Sequence, residues 1–123
     1  MAKKRPRAIV VGSFLNPAKQ IWSPDAQAFA TAQEAVASLG AQGSYYEDFA
    51  YELKVRQEQV PEALESIDPA LAMEALIRAL QMVPGLAVRP FRTYREAEAF
   101  LALIEQVAEK DRKEREAQER RLP

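Results

Sequence analysis

The chain has 123 residues, 48% of them apolar, which suits one domain able to bury a core without metal or disulfide support. It contains no cysteine and no histidine. Their absence excludes a disulfide framework, a thiolate nucleophile, cysteine- or histidine-ligated metals and the usual general base near neutral pH, so any chemistry would rest on carboxylates, Lys, Arg, Tyr, Ser and Thr.

The net charge of −1 is spread unevenly. Residues 1–7 carry +4, residues 8–108 hold seven basic against thirteen acidic side chains, and residues 109–123 hold six against five. This division suggests a basic N-terminal arm (1–7), a single acidic domain (8–108) and a charged helical extension or tail (109–123). The apolar run at residues 8–11 is far shorter than the ~20 residues needed to span a bilayer, and no small-residue cleavage site follows the basic start. The expectation is a cytoplasmic protein with no membrane partner. Eleven arginines against six lysines, with one asparagine, is a mixture compatible with a thermostable protein.

In chain order, residues 7–12 form a continuous apolar run ending in Gly12, the pattern of a strand buried on both faces. Residues 14–22 read as a loop, with Asn16-Pro17 as its turn and Phe14 and Trp22 as aromatics that need somewhere to pack. Ser23-Pro24-Asp25 has the form of a helix start, predicting a helix over residues 24–39 with Phe29, Ala32, Val36 and Leu39 as its apolar stripe and Gly40 as its left-handed stop. Residues 49–56 alternate with period two and predict a half-exposed strand. Asp68-Pro69 repeats the capping signal and predicts a helix to about residue 83, closed by Pro84-Gly85. Residues 86–91 predict a third strand, with Pro90 pointing to a sheet edge. Thr93-Tyr94-Arg95-Glu96 has the form of a capping box, after which Ala97, Phe100, Leu101, Ile104, Val107 and Ala108 make the best helical stripe of the chain. The stripe ends there, so residues 110–121 read as a core-independent helix held by pairs four apart, or as a disordered tail.

These elements predict an α/β fold in β-α-β-α-β-α order: a small three-stranded, mostly parallel sheet with a long charged C-terminal helix. So small a sheet leaves edges to be covered by the loop aromatics, by a further strand near Tyr45-Tyr46 or by a partner chain.

Motifs that carry chemistry are few. The segment VGSFLNP follows the first strand, where open α/β sheets place ligands, but it lacks the spacings of phosphate-cradling loops. Over residues 9–17 it resembles the opening motif of nucleoside deoxyribosyltransferase-like proteins; no catalytic residue is carried over, because that family's later glutamate has no counterpart in context. Glu47-Asp48 and Glu62 with Glu65 are the nearest carboxylate pairs, and the sequence puts neither in an apolar pocket. The ending GLAVRPFRTYREAEAFL, mainly residues 85–107, resembles the last strand and helix of STAS-like domains, the fold of anti-sigma-factor antagonists. That resemblance implies a regulatory, non-enzymatic module and makes Ser23 a candidate phosphosite, although Trp22-Ser23-Pro24-Asp25 departs from the family's Asp-Ser-Ser-Gly run.

The expected function is a small non-catalytic regulatory or protein-binding module, with a protein partner or a second copy of the chain, and no cofactor or metal. Trp22, Tyr45, Tyr46 and Tyr51 are candidate contact aromatics, because aromatics concentrate at interfaces, and Arg112 and Arg115 are candidate contacts on the charged helix. The alternative is a nucleic-acid- or nucleotide-associated protein, contacting phosphates through Lys3, Lys4, Arg5 and Arg7 with the loop at Ser13.

Overall fold

The structure, a computed structural model, describes residues 5–41, 51 and 64–121. The first apolar run becomes β1 (Ala8–Gly12), all five residues buried. Next come two short strands, β2 (Phe14–Asn16) and β3 (Ile21–Trp22), separated by a 3-10 turn at Pro17–Lys19, and then β4 (Gln27–Phe29). Among the described residues three helices and a last strand follow: α1 (Ala32–Ala41), α2 (Pro69–Gln81), β5 (Ala87–Phe91) and α3 (Tyr94–Arg121).

The fold is a small mixed α/β fold, but the expectation of a mostly parallel β-α-β-α-β-α sheet is overturned. One sheet runs β4-β1-β5 and the other pairs β2 with β3, and every pairing is antiparallel. The departure starts at Ser23. Instead of capping a helix, residues 23–26 form a turn in which the Ala26 N–H donates to the Ser23 carbonyl (3.2 Å), the Ser23 hydroxyl bonds the Asp25 carboxylate, and Pro24 follows the turn's first residue. The fixed φ of proline serves the first position of a helix and the second position of a β-turn equally well. The turn sends β4 back along β1, with Ile9 opposite Phe29 and Val11 opposite Gln27. α1 therefore starts at Ala32, where the Thr31 hydroxyl accepts from the Glu34 N–H (3.1 Å). It continues through Gly40, which is not left-handed, to Ala41.

The sequence does show that β1 is buried on both faces. Ile9 and Val11 point to a core shared with Phe29 of β4, Ala35 and Leu39 of α1, and Met73, Leu76 and Leu80 of α2. Ala8 and Val10 point the other way, to Ala26, Ala97 and Ile104, with Trp22, Phe91 and Phe100 packed around them. α1 and α2 thus cover one face of the sheet and α3 the other. Double burial is the usual mark of a parallel sheet because crossover helices cover both faces. Here an antiparallel sheet acquires the same cover, and the period-one apolar pattern cannot tell the two apart.

Other local signals hold. Asp68 caps α2 by accepting from the Ala70 N–H (2.9 Å), with Pro69 in the first turn. Thr93 caps α3 through Glu96 N (3.2 Å), and the Glu96 carboxylate reaches back to the N–H of Arg92 (3.3 Å), completing a capping box displaced by one residue. β5, which contains Pro90, is an edge strand among the described residues. The strand expected at residues 49–56 lies outside the described residues except for Tyr51, and Tyr51 is helical, against that expectation.

Gly12 has a role the sequence did not suggest. A Cβ there would stand 2.7 Å from the Cβ and 3.0 Å from the Cα of Ala26, so its absence lets the turn pack against the end of β1. Gly12→Ala should therefore cost ~1–3 kcal/mol by overpacking against backbone, read as a lower denaturation midpoint at unchanged m-value.

Candidate functional site

The β2–β3 hairpin stands over the first turns of α3 and opens a cleft of about 310 Å³. The hairpin is joined to the sheet by the Ser23 N–H, which donates to the Ser13 carbonyl (2.8 Å). Its tip is closed by Gln20, which holds left-handed φ and ψ of 55° and 38° while its N–H donates to the Pro17 carbonyl (3.2 Å). For a residue with a Cβ this conformation costs on the order of 1 kcal/mol, and such backbone recurs at binding sites.

The cleft walls are aromatic and aliphatic. Trp22 lies edge-on to Phe14 (centroids 5.7 Å) and to Phe100 (5.3 Å), and Phe100 in turn meets Phe91 (5.3 Å). Leu103 and Val107, one turn apart on α3, continue the apolar lining and remain 51% and 39% exposed. One cation joins them. Arg89 projects from β5 on the α3 side of the sheet, with its guanidinium carbon 4.7 Å from the Phe100 centroid and 5.3 Å from that of Phe91. Among the described residues no carboxylate forms an ion pair with Arg89, whereas Arg5 and Arg112 each have two such partners and Arg115 has one. Cation–π contact with two rings, themselves tilted 44° to each other, holds the charge at the cleft, and no described carboxylate competes for its N–H donors.

The far side of the hairpin is held by charge. Asp111 of α3 is 3% exposed, with Lys19 Nζ 3.7 Å from one oxygen and Arg115 Nε 3.1 Å from the other. Neither oxygen accepts a well-aligned hydrogen bond, so the compensation is coulombic. The buried positions of α3 run Ala97, Ile104, Ala108, Asp111, so the inner stripe goes one turn beyond where the apolar residues stop. Residues 110–121 are thus one continuous helix with the domain, anchored at Asp111 rather than independent of the core.

The candidate residues from the sequence fall in different places. Trp22 is in the cleft. Tyr45, Tyr46, Lys3 and Lys4 lie outside the described residues. Tyr51 is 67% exposed. Arg112 is engaged along its own helix with Glu109 and with Glu116 (2.6 Å); hydrogen bonding by Arg112 holds the Glu109 carboxyl below the usual range, and Glu109 raises the guanidinium. The pair is fully exposed, and the stabilisation it gives is lost as pH falls through the lowered Glu109 value. Arg115 serves Asp111. Arg5 is paired with Asp68 (3.1 Å) and lies 3.9 Å from Glu74, so it does not reach out as a free phosphate contact, while Arg7 is exposed and gives its backbone N–H to Phe91 O (3.1 Å). Ser13 is half-buried where β1 passes into β2, and Ser23 sits in the turn before β4, not at a helix start. No group of three or more acidic residues able to hold a metal ion occurs among the described residues.

The sequence reading missed Arg89, Phe100, Leu103 and Val107 as one site. A signal was present: Leu103 is an apolar residue outside the predicted stripe and four residues before Val107, and Arg89 is two residues from Phe91 and so on the same strand face. No helix among the described residues is long and apolar enough to cross a membrane. No family model, curated protein or solved structure matches the chain.

Proposed function

We propose that the chain is a small non-catalytic module that binds a polypeptide partner through the cleft between the β2–β3 hairpin and α3. The observation that carries this reading is the half-open aromatic wall of Phe14, Trp22 and Phe100 with exposed Leu103 and Val107 beside it and one carboxylate-free arginine in cation–π contact at its rim. Concentrated aromatics with an arginine are the composition of binding hot spots. Chemistry has little support in the cleft, whose described lining residues include no carboxylate, lysine, serine or threonine to move a proton or attack a substrate. The nucleic-acid alternative rests on the basic arm, and the ion pairs of Arg5 with acidic residues of the domain weaken it.

The test is affinity capture from the native host with the wild-type chain and with Leu103→Asp, a substitution at a half-exposed position that places an unpaired charge in the apolar wall. The expected result is a set of proteins retained by the wild type and lost by the variant at unchanged melting temperature. Identical capture by both would move the binding site away from the cleft.

A further inference from the structure

The ligand chemistry of the cleft follows from the spacing of its polar and apolar parts. The guanidinium carbon of Arg89 lies 4.7 Å from the Phe100 centroid, and Phe100 is in contact with Trp22 at 5.3 Å between centroids. A ligand that satisfies both the guanidinium and the aromatic wall must therefore carry an anionic group and an apolar group only a few ångströms apart. At about 310 Å³ the cleft is at the small end of ligand sites, which run ~300–1,000 Å³, so it has room for one large side chain and little more. The anion is singly charged. Among the described residues one cation lines the cleft, which balances a single negative charge, whereas a phosphate near neutral pH carries about −1.5 to −2. A planar guanidinium with in-plane donors matches a carboxylate, which it can bind through two parallel hydrogen bonds.

The last residue of a polypeptide has this geometry: its carboxylate and its side chain branch from the same Cα. An internal Asp or Glu would instead separate the charge from the nearest apolar side chain and require the peptide to leave the cleft again. We infer that the cleft recognises the free C-terminus of a partner polypeptide ending in a large apolar residue, with the terminal carboxylate on Arg89 and the side chain among Trp22, Phe100, Leu103 and Val107. This deepens the partner-binding reading and rests on it.

Trp22 is the only tryptophan of the chain, so its emission reports on the cleft alone. The experiment titrates the full chain with a hexapeptide ending in leucine as the free acid, with the same peptide as its C-terminal amide, and with the free acid ending in glycine. The free acid ending in leucine should shift Trp22 emission saturably. The amide and the glycine peptide should each bind at least about tenfold more weakly, the loss expected when a charge-assisted hydrogen bond or a buried side chain is removed. In Arg89→Gln, affinity for the leucine acid should fall to the level of the amide while affinity for the amide stays as it was. Equal binding of acid and amide, no effect of Arg89→Gln on the acid, or no binding of the leucine acid would each overturn the assignment. Those failures leave the Leu103→Asp capture result standing if the partner engages the same wall through an internal segment, so the two readings fail separately. Displacement of the leucine acid by inorganic phosphate at equal concentration would also overturn it, since the cleft would then be a general anion site.

Discussion

Leu76→Ala should lower the unfolding free energy by ~2–5 kcal/mol, the range for removing a fully buried leucine side chain and leaving part of its volume empty. Leu76 is 1% exposed on the inner face of α2 and belongs to the larger core cluster, which joins β1, β4, α1 and α2 and includes the fully buried Ile9, Met73 and Leu80. The cluster sets three other elements, β1, β4 and α1, against α2, so collapse around a shortened side chain would require moving a helix against the sheet. Phe100→Ala should cost less, about 2 kcal/mol, even though it deletes more atoms, because Phe100 is half-buried and faces an open cleft that water can enter. Urea denaturation of both variants, read at constant m-value, checks the order. A larger loss for Phe100 would mean that the α3 side of the sheet is the main core.

Asp111 should give two substitutions of opposite sign. Asp111→Lys should cost about 3 kcal/mol, because it places a third cation beside Lys19 and Arg115 at a position where 3% of the side chain reaches water. Asp111→Leu should be neutral or stabilising: it ends the cost of burying a carboxylate that accepts no aligned hydrogen bond, continues the apolar stripe of α3 by one turn, and releases two cations that are already half-exposed and can return to solvent. Thermal and chemical denaturation measure both. Losses of similar size would show that the ion pairs themselves hold the helix. The same reasoning locates where α3 can be shortened: removing residues 117–123 should change stability by no more than ~0.5 kcal/mol, whereas a cut at residue 110 also removes the anchor at Asp111.

The sequence made legible those parts of the fold that depend on near neighbours. Asp68-Pro69 and Thr93 with Glu96 fix where α2 and α3 begin, since a cap and its N–H acceptors lie within four residues, and the apolar runs of β1 and β5 locate those strands. The direction of the strands was not legible, because it depends on residues 23–29 returning to β1 and Ser-Pro-Asp satisfies a turn as well as a helix start. Phe29 shows the ambiguity in one residue: it enters the same core as Ala32 and Leu39, but from a strand. Of the candidate site, only Trp22 was singled out in advance. Arg89 and Leu103 are distant from it in the chain, and nothing local marks that the hairpin folds over α3 to bring them together. Asp111 was hidden for another reason: a carboxylate in a charged run looks solvated unless the cation covering it, Lys19, is known to be near.

The order of strands in the main sheet also bears on when the protein can fold. β1 is made before both of its partners and holds the central place between them, yet one of those neighbours, β5, begins at residue 87, 75 residues after β1 ends. The pairing with β4 closes a short loop and can form early, while the pairing with β5 must wait until residue 91 has been made and then pay the entropy of closing almost the whole domain. Until that moment β1 lacks its β5 neighbour and Ala8 and Val10 lack the α3 cover, so the nascent chain exposes this apolar segment while residues 30–91 are being made.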